Sequence, residues 1–122
     1  MEKWKRVPEC NYEASTLGRI RHCKTLRVKK PQSNKGYQTV KVQMNKKVVM
    51  LGVHQCVAMA WLGHERGKGH KGKLIVVDHI NDNGLDNRLE NLQLLTQTQN
   101  IAKGHRRTKP NWGRYVKLPE KN

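Results

Sequence analysis

Between Val77 and Asn100 the chain reads VDHINDNGLDNRLENLQLLTQTQN, and four polar residues in it have the types needed for chemistry on a phosphate. Asp78 and His79 are adjacent, Asn91 follows His79 by twelve residues, and Asn100 follows Asn91 by nine. Hydrolysis of a phosphodiester requires a deprotonated water, a cation on the phosphate and stabilisation of the leaving oxygen. His79 is the best general base, because an unperturbed imidazole titrates at about 6.5. Asp78 is the nearest hard oxygen ligand, and the amide oxygen of Asn100 could be the second. Oxygen donors of this kind favour Mg²⁺, with Mn²⁺ as a substitute, and zinc is not expected. Adjacent strand residues face opposite ways, so Asp78 and His79 are expected to share a site only if the strand breaks there. The following Asn81-Asp82-Asn83-Gly84 supplies the irregularity.

The charge distribution suits that chemistry. The 122 residues carry a net charge of +16, with low apolar content and no Phe, which bounds the chain to about one domain with a small core. Residues 74–101 hold Arg88 alone against Asp78, Asp82, Asp86 and Glu90, while both flanks are strongly basic. A basic body can hold a polyanion and an acidic island can hold a metal. Charge alone points to nucleic acid as partner but does not separate an enzyme from a ribosomal-type RNA-binding protein. Cys10, Cys23 and Cys56 form no CxxC pair, and their odd count argues against a disulfide scaffold, so reduced thiols in a cytoplasmic setting are expected. No signal peptide and no apolar run near 18 residues is present, so nothing points to a membrane.

The elements that must position these residues are legible in outline. Residues 4–52 read as short strands: residues 12–15, a turn at Thr16-Leu17-Gly18, then residues 19–22. Residues 36–42 alternate with period two, Asn45-Lys46-Lys47 turns, and residues 46–51 pair back. Residues 29–36 read as a basic loop. Val53, Val57, Ala60 and Trp61 fall on one face of a helix, with Gly63 at its end. A basic, Gly-rich loop follows at residues 64–73. Residues 74–77 and 91–95 read as strands around the turn at Asp82-Asn83-Gly84. Thr96 and Gln99 form a capping box for a helix running to about Lys103. The predicted class is therefore α+β: residues 1–52 a β-rich basic DNA-binding segment, 53–103 a catalytic core with its preceding helix, and 104–122 a basic tail.

At this point the segment resembles HNH endonucleases of the ββα-metal fold, and within them the homing enzymes of bacteriophages and mobile elements whose last His is replaced by Asn. The resemblance rests on Asp78-His79-Ile80-Asn81, Leu85-Asp86-Asn87-Arg88, Glu90-Asn91-Leu92 and Gln99-Asn100. Residues 53–62 resemble the helix before that motif, and Trp4, Tyr12, Ser15 and Gly18-Arg19-Ile20-Arg21 resemble an N-terminal segment common in the same nucleases. The resemblance implies that His79 activates water and that Asp78 and Asn100 bind one metal. It implies that Asn91 braces the loop that orients His79, and that the products carry 5′-phosphate and 3′-hydroxyl ends. It also implies double-stranded DNA as the partner, acted on by a monomer or a homodimer in a bacterial host cell. A catalytically silent nucleic-acid-binding module on the same fold is the alternative.

The cations expected to touch DNA are Arg19, Arg21, Lys24, Arg27, Lys29, Lys30, Lys35, Lys41, Lys46 and Lys47. They lie in what reads as a β-ribbon, which fits a major groove, although most such cations contact phosphate. Arg88 is expected to pair with a neighbouring acid, and Asp82, Asp86 and Glu90 to serve the loop and caps rather than a metal. His54 reads as structural. For His64 and His70, phosphate contact and plain solvation both stand. Trp112 and Tyr115 could stack on DNA or dock the tail onto the body.

Overall fold

Period-two alternation dominates the first half of the chain, and there it builds two three-stranded antiparallel sheets. The computed structural model describes residues 1–65, 69–70 and 73–106. The first sheet contains β1 (Trp4–Arg6), β2 (Tyr12–Ser15) and β3 (Ile20–His22). The second contains β4 (Gln32–Asn34), β5 (Tyr37–Met44) and β6 (Lys47–Gly52). The stretch expected to be a basic loop thus includes a strand. Lys35 and Gly36, with φ of 52° and 85°, form a two-residue turn that pairs Asn34 with Tyr37. Asn45 and Lys46, with φ of 51° and 67°, do the same between β5 and β6. Two left-handed residues in succession match the right-handed twist of the strands they join. Along β5, Val40 and Val42 are buried while Lys41 and Gln43 face out.

Helix α1 (Val53–Trp61) follows β6 directly, and its 3.6-residue period buries Val53, Cys56, Val57 and Ala60. Trp61 is half-buried rather than enclosed, and its indole Nε1 donates to Ala14 O at 3.0 Å. Gly63, at φ +70°, ends the helix. One apolar core gathers Val7, Ala14 and Ile20 from the first sheet region, Val40, Val42 and Leu51 from the second, α1, and Leu92. All three cysteines are free thiols.

The third sheet has the order β7 (Gly69–His70), β8 (Lys73–His79), β9 (Leu92–Thr96). A single 3-10 turn at Leu89–Asn91 leads into β9. Helix α2 (Gln97–Arg106) closes the motif. Thr96 N donates to Gln99 Oε1 at 2.9 Å and Gln99 N donates to Thr96 Oγ1 at 3.1 Å, so the expected capping box is present. The helix runs past Lys103 because one internal glycine costs only about 1 kcal/mol. Helices α1 and α2 both pack against the β8–β9 pair. His79 and Leu92 turn towards α1, whereas Asp78 and Gln93 turn towards α2.

Candidate active site

Strand β8 runs unbroken through both Asp78 and His79, which pair with Gln93 and Leu92, and it ends only at Ile80. This corrects the expectation that the strand must break for the two residues to share a site. They share it because they occupy the last positions of the strand, where a cleft can reach both faces. That cleft, about 190 Å³, is lined by Tyr37, Val77, Asp78, His79, Asp82, Gly84, Asn100 and Lys103. A larger cleft of about 600 Å³ lies beside α1, lined by His54, Gln55, His64 and residues 74–77. Among the described residues its lining has no carboxylate, which makes it the weaker candidate.

His79 is buried, and its Nε2 donates to Asn87 Oδ1 at 2.8 Å. That direction follows from the other end of Asn87, whose Nδ2 donates to Gln38 Oε1 at 3.0 Å. With the proton of the neutral ring on Nε2, Nδ1 is the basic nitrogen. The ring lies 5.9 Å from Tyr37 and 5.0 Å from His54, centroid to centroid. Burial, then the nearby His79 and His64, hold the His54 pKa down to about 4. His54 is therefore neutral at pH 7 and places no cation beside the candidate base.

Asn91 is buried but does not touch the His79 ring directly through any described hydrogen bond; it staples the loop that follows. Its Nδ2 donates to Asn81 Oδ1 and to Asp86 O, both at 2.9 Å, and its Oδ1 accepts from Asn81 N at 3.1 Å. Ile80 N donates to Asn91 O at 2.7 Å. The ring's own partner is Asn87.

Asp78 Oδ2 accepts from Gln93 Nε2 and from Lys103 Nζ, each at 2.8 Å. The same ammonium lies 2.7 Å from Asp82 Oδ1 and donates to His79 O at 2.6 Å. Burial opposes the Lys103 charge, yet its hydrogen bonds to Asp78 and Asp82 outweigh burial and raise its pKa. Three oxygens thus converge on one positive group, and Asn100, one turn before Lys103, lines the same cleft. An all-oxygen set with two carboxylates suits a small hard cation. Among the described residues no three His, Cys, Asp or Glu side chains form a metal-holding cluster.

Residues 52–102 match the family model described as HNH endonuclease, and residues 2–43 match the NUMOD4 motif. Residues 52–102 carry an HNH endonuclease domain. Two curated relatives come from Acanthamoeba polyphaga mimivirus. Uncharacterized HNH endonuclease L247 is 28% identical over 104 residues, 82% of this chain and 25% of its own length. Uncharacterized HNH endonuclease L245 is 32% identical over 94 residues, 75% of this chain and 26% of its own length. This chain thus spans about a quarter of these relatives. A solved structure, described as DNA binding and cleavage by the HNH homing endonuclease I-HmuI, superposes with a TM-score of 0.71 at 28% identity. The match covers 89% of this chain and 61% of that one. The α+β architecture of small sheets and two helices is that of an HNH homing endonuclease.

The N-terminal sheets also shape the loop that follows β8. Leu89 N donates to Thr16 O at 2.9 Å. A Cβ on Gly18 would lie 2.8 Å from the Asn87 carbonyl carbon, and one on Gly84 would lie 2.2 Å from Gly36 O. Backbone therefore meets backbone on both sides of Asn87, and only glycine allows the approach.

The cations anticipated from sequence divide into two groups. Arg19 is bound to Glu2 at 2.8 and 2.5 Å and Arg21 to Glu13 at 2.7 Å, and both lie over Trp4. Lys24, Arg27, Lys30, Lys35, Lys41, Lys46 and Lys47 are exposed, while Lys29 is half-buried beside Tyr12. Arg88 is held by Asp86 and Glu90, and its guanidinium draws the Asp86 pKa down to about 2. His64 is buried and lines the larger cleft beside α1. The side chain of His70 and the whole of residues 107–122, with Trp112 and Tyr115, lie outside the described residues.

Sequence reasoning missed Lys103, Asp82, Gln93, Asn87, Gln38 and Tyr37 as site residues. Two signals were available. Lys103 is three residues after Asn100, hence on the same helix face. Gln93 falls opposite Asp78 once the hairpin register is known.

Proposed function

We propose that this chain is a metal-dependent endonuclease that hydrolyses phosphodiester bonds of double-stranded DNA, leaving 5′-phosphate and 3′-hydroxyl ends. The observation that carries the reading is His79, its Nε2 committed to Asn87, in a cleft shared with Asp78 and Asn100. In this scheme His79 Nδ1 takes the proton of the attacking water. Asp78 and Asn100 hold Mg²⁺, or Mn²⁺ in its place, which supplies positive charge to the scissile phosphate and the leaving oxygen. Asn91 keeps the loop closed, and Asn87 keeps the imidazole in the basic tautomer. Residues 1–52 act mainly as the DNA-holding segment, residues 53–103 as the nuclease core and residues 104–122 as a further basic contact. The likeness to I-HmuI, whose structure is described in terms of DNA binding and cleavage, supports DNA as substrate and a homing-type role. The exposed lysines on and beside the second sheet support phosphate contact. The described residues hold one such site, so a monomer nicks one strand and a homodimer is required to cut both. The setting proposed is the cytoplasm of a bacterial host, with the gene carried by a phage or mobile element. Among the described residues no helix is long and apolar enough to cross a membrane.

Supercoiled plasmid incubated with Mg²⁺, with and without excess chelator, tests the reading. Cleavage is expected with Mg²⁺ only, with ends that a ligase rejoins, and Asp78→Ala and Asn100→Ala should abolish it. Undiminished cutting in chelator, or normal cutting by Asp78→Ala, would sink it. DNA binding with no cleavage under any divalent ion would identify a silent module instead.

A further inference from the structure

We propose that Lys103 is the resident counter-ion of the metal site: its ammonium neutralises the cleft oxygens in the metal-free protein, and metal and DNA together displace it. The inference rests on the metal-site reading above. Its basis is geometric. Lys103 Nζ stands 2.8 Å from Asp78 Oδ2, 2.7 Å from Asp82 Oδ1 and 2.6 Å from His79 O. Asp78 is the charged ligand of the proposed metal, and Asp82 and Asn100 line the same cleft. Asp78 and Asp82 brought together without a cation would repel each other, so the ammonium holds their geometry before metal arrives. Lys103 and Asp78 are buried, but the cluster borders a cleft, and its Asp82 side chain is 36% exposed.

A divalent ion and the ammonium cannot both sit among these oxygens, because two cations in contact repel strongly where water is scarce. The lysine stem is four methylenes long and can swing without moving α2. It needs a new anion when it leaves, and the scissile phosphate is the anion that the cleft is built to receive. Metal and DNA therefore help each other to bind, and by linkage the help is reciprocal. A protein free of DNA keeps its site neutralised and holds metal weakly.

The test uses the whole chain without DNA. Mn²⁺ binding is followed by the electron paramagnetic resonance of the free ion for wild type, Lys103→Met and Lys103→Gln. Both variants should bind Mn²⁺ more tightly than wild type by about ten-fold, within the usual range of coupling between sites. Adding Asp78→Asn to either should remove that gain. Equal affinity in wild type and variants overturns the inference and leaves the metal site standing. No Mn²⁺ binding by any of the proteins overturns both. A second measurement needs no variant. The side-chain ammonium of Lys103, buried and slow to exchange, gives a ¹⁵N resonance that should move when Mg²⁺ saturates the wild-type protein. A resonance unchanged at saturation overturns the inference whatever the variants do.

Discussion

The proposed role of His79 as a base depends on what its other nitrogen does. Asn87 Oδ1 accepts a hydrogen bond from Nε2, and Gln38 fixes which end of Asn87 faces the ring. His79→Ala should lower the cleavage rate by about 10²–10⁴-fold and leave DNA affinity unchanged, because a base acts in the chemical step. Single-turnover rates beside duplex binding isotherms check this, and a rate near wild type would remove His79 from the mechanism. Asn87→Ala should give a smaller fall in kcat at constant KM, since the ring survives and loses its tautomer control. His54 makes a separate prediction about pH. Its folded pKa is about 4 against the ordinary 6.5, so between these values the unfolded chain binds a proton that the folded chain refuses. Stability is full above pH 6.5 and falls as the pH drops towards 4. His54→Gln should flatten that fall in urea midpoints measured across the range. The same acid loss in both proteins would show that another group is responsible.

At the scale of elements, the loop after β8 is held from outside its own motif. The Lys35-Gly36 turn meets Gly84, the β2–β3 turn meets Asn87 through Gly18, and Thr16 accepts from Leu89. An added methyl at Gly84 would stand 2.2 Å from a backbone oxygen, and backbone cannot yield as a side chain can. Gly84→Ala should destabilise the fold by about 1–3 kcal/mol, the usual cost of overpacking. It should also slow cleavage more than it weakens DNA binding, because the loop carrying Asn87 is displaced. Urea unfolding and single-turnover cleavage of the one variant check both parts. A Gly84→Ala protein as stable and as fast as wild type would mean that turn and loop are independent.

At the scale of the whole molecule the net charge of +16 would dominate the proposed encounter with DNA. With roughly six phosphate contacts, log affinity against log salt should fall with a slope of about −5. Anisotropy of a labelled duplex at a series of salt concentrations measures it. A nearly flat response would show that the basic surface is not the binding surface. Arg19 and Arg21 already neutralise Glu2 and Glu13, so Lys35→Ala or Lys41→Ala should reduce the slope more than Arg19→Ala does. Equal effects would mean that the arginines release their carboxylates on binding.

What the chain determined by itself was local. The period of α1, the capping box of Thr96 and Gln99, the turn at Asn45-Lys46 and the spacing of Asp78, His79, Asn91 and Asn100 depend on neighbours in sequence, so they could be read there. Residues 29–36 were misread because a strand of three residues inside a Pro- and Gly-bearing segment has no periodicity of its own. The unbroken β8 was misread because a strand's end, unlike its middle, opens both faces to one cleft. Lys103 on Asp78, Asn87 on His79 and Gln38 on Asn87 span 25, 8 and 49 residues of chain. No spacing rule links such residues. Their meeting was decided by tertiary structure: the shared apolar core sets the first two sheets against the β8–β9 hairpin, and buried polar groups then pair with whatever donor or acceptor the packing delivers.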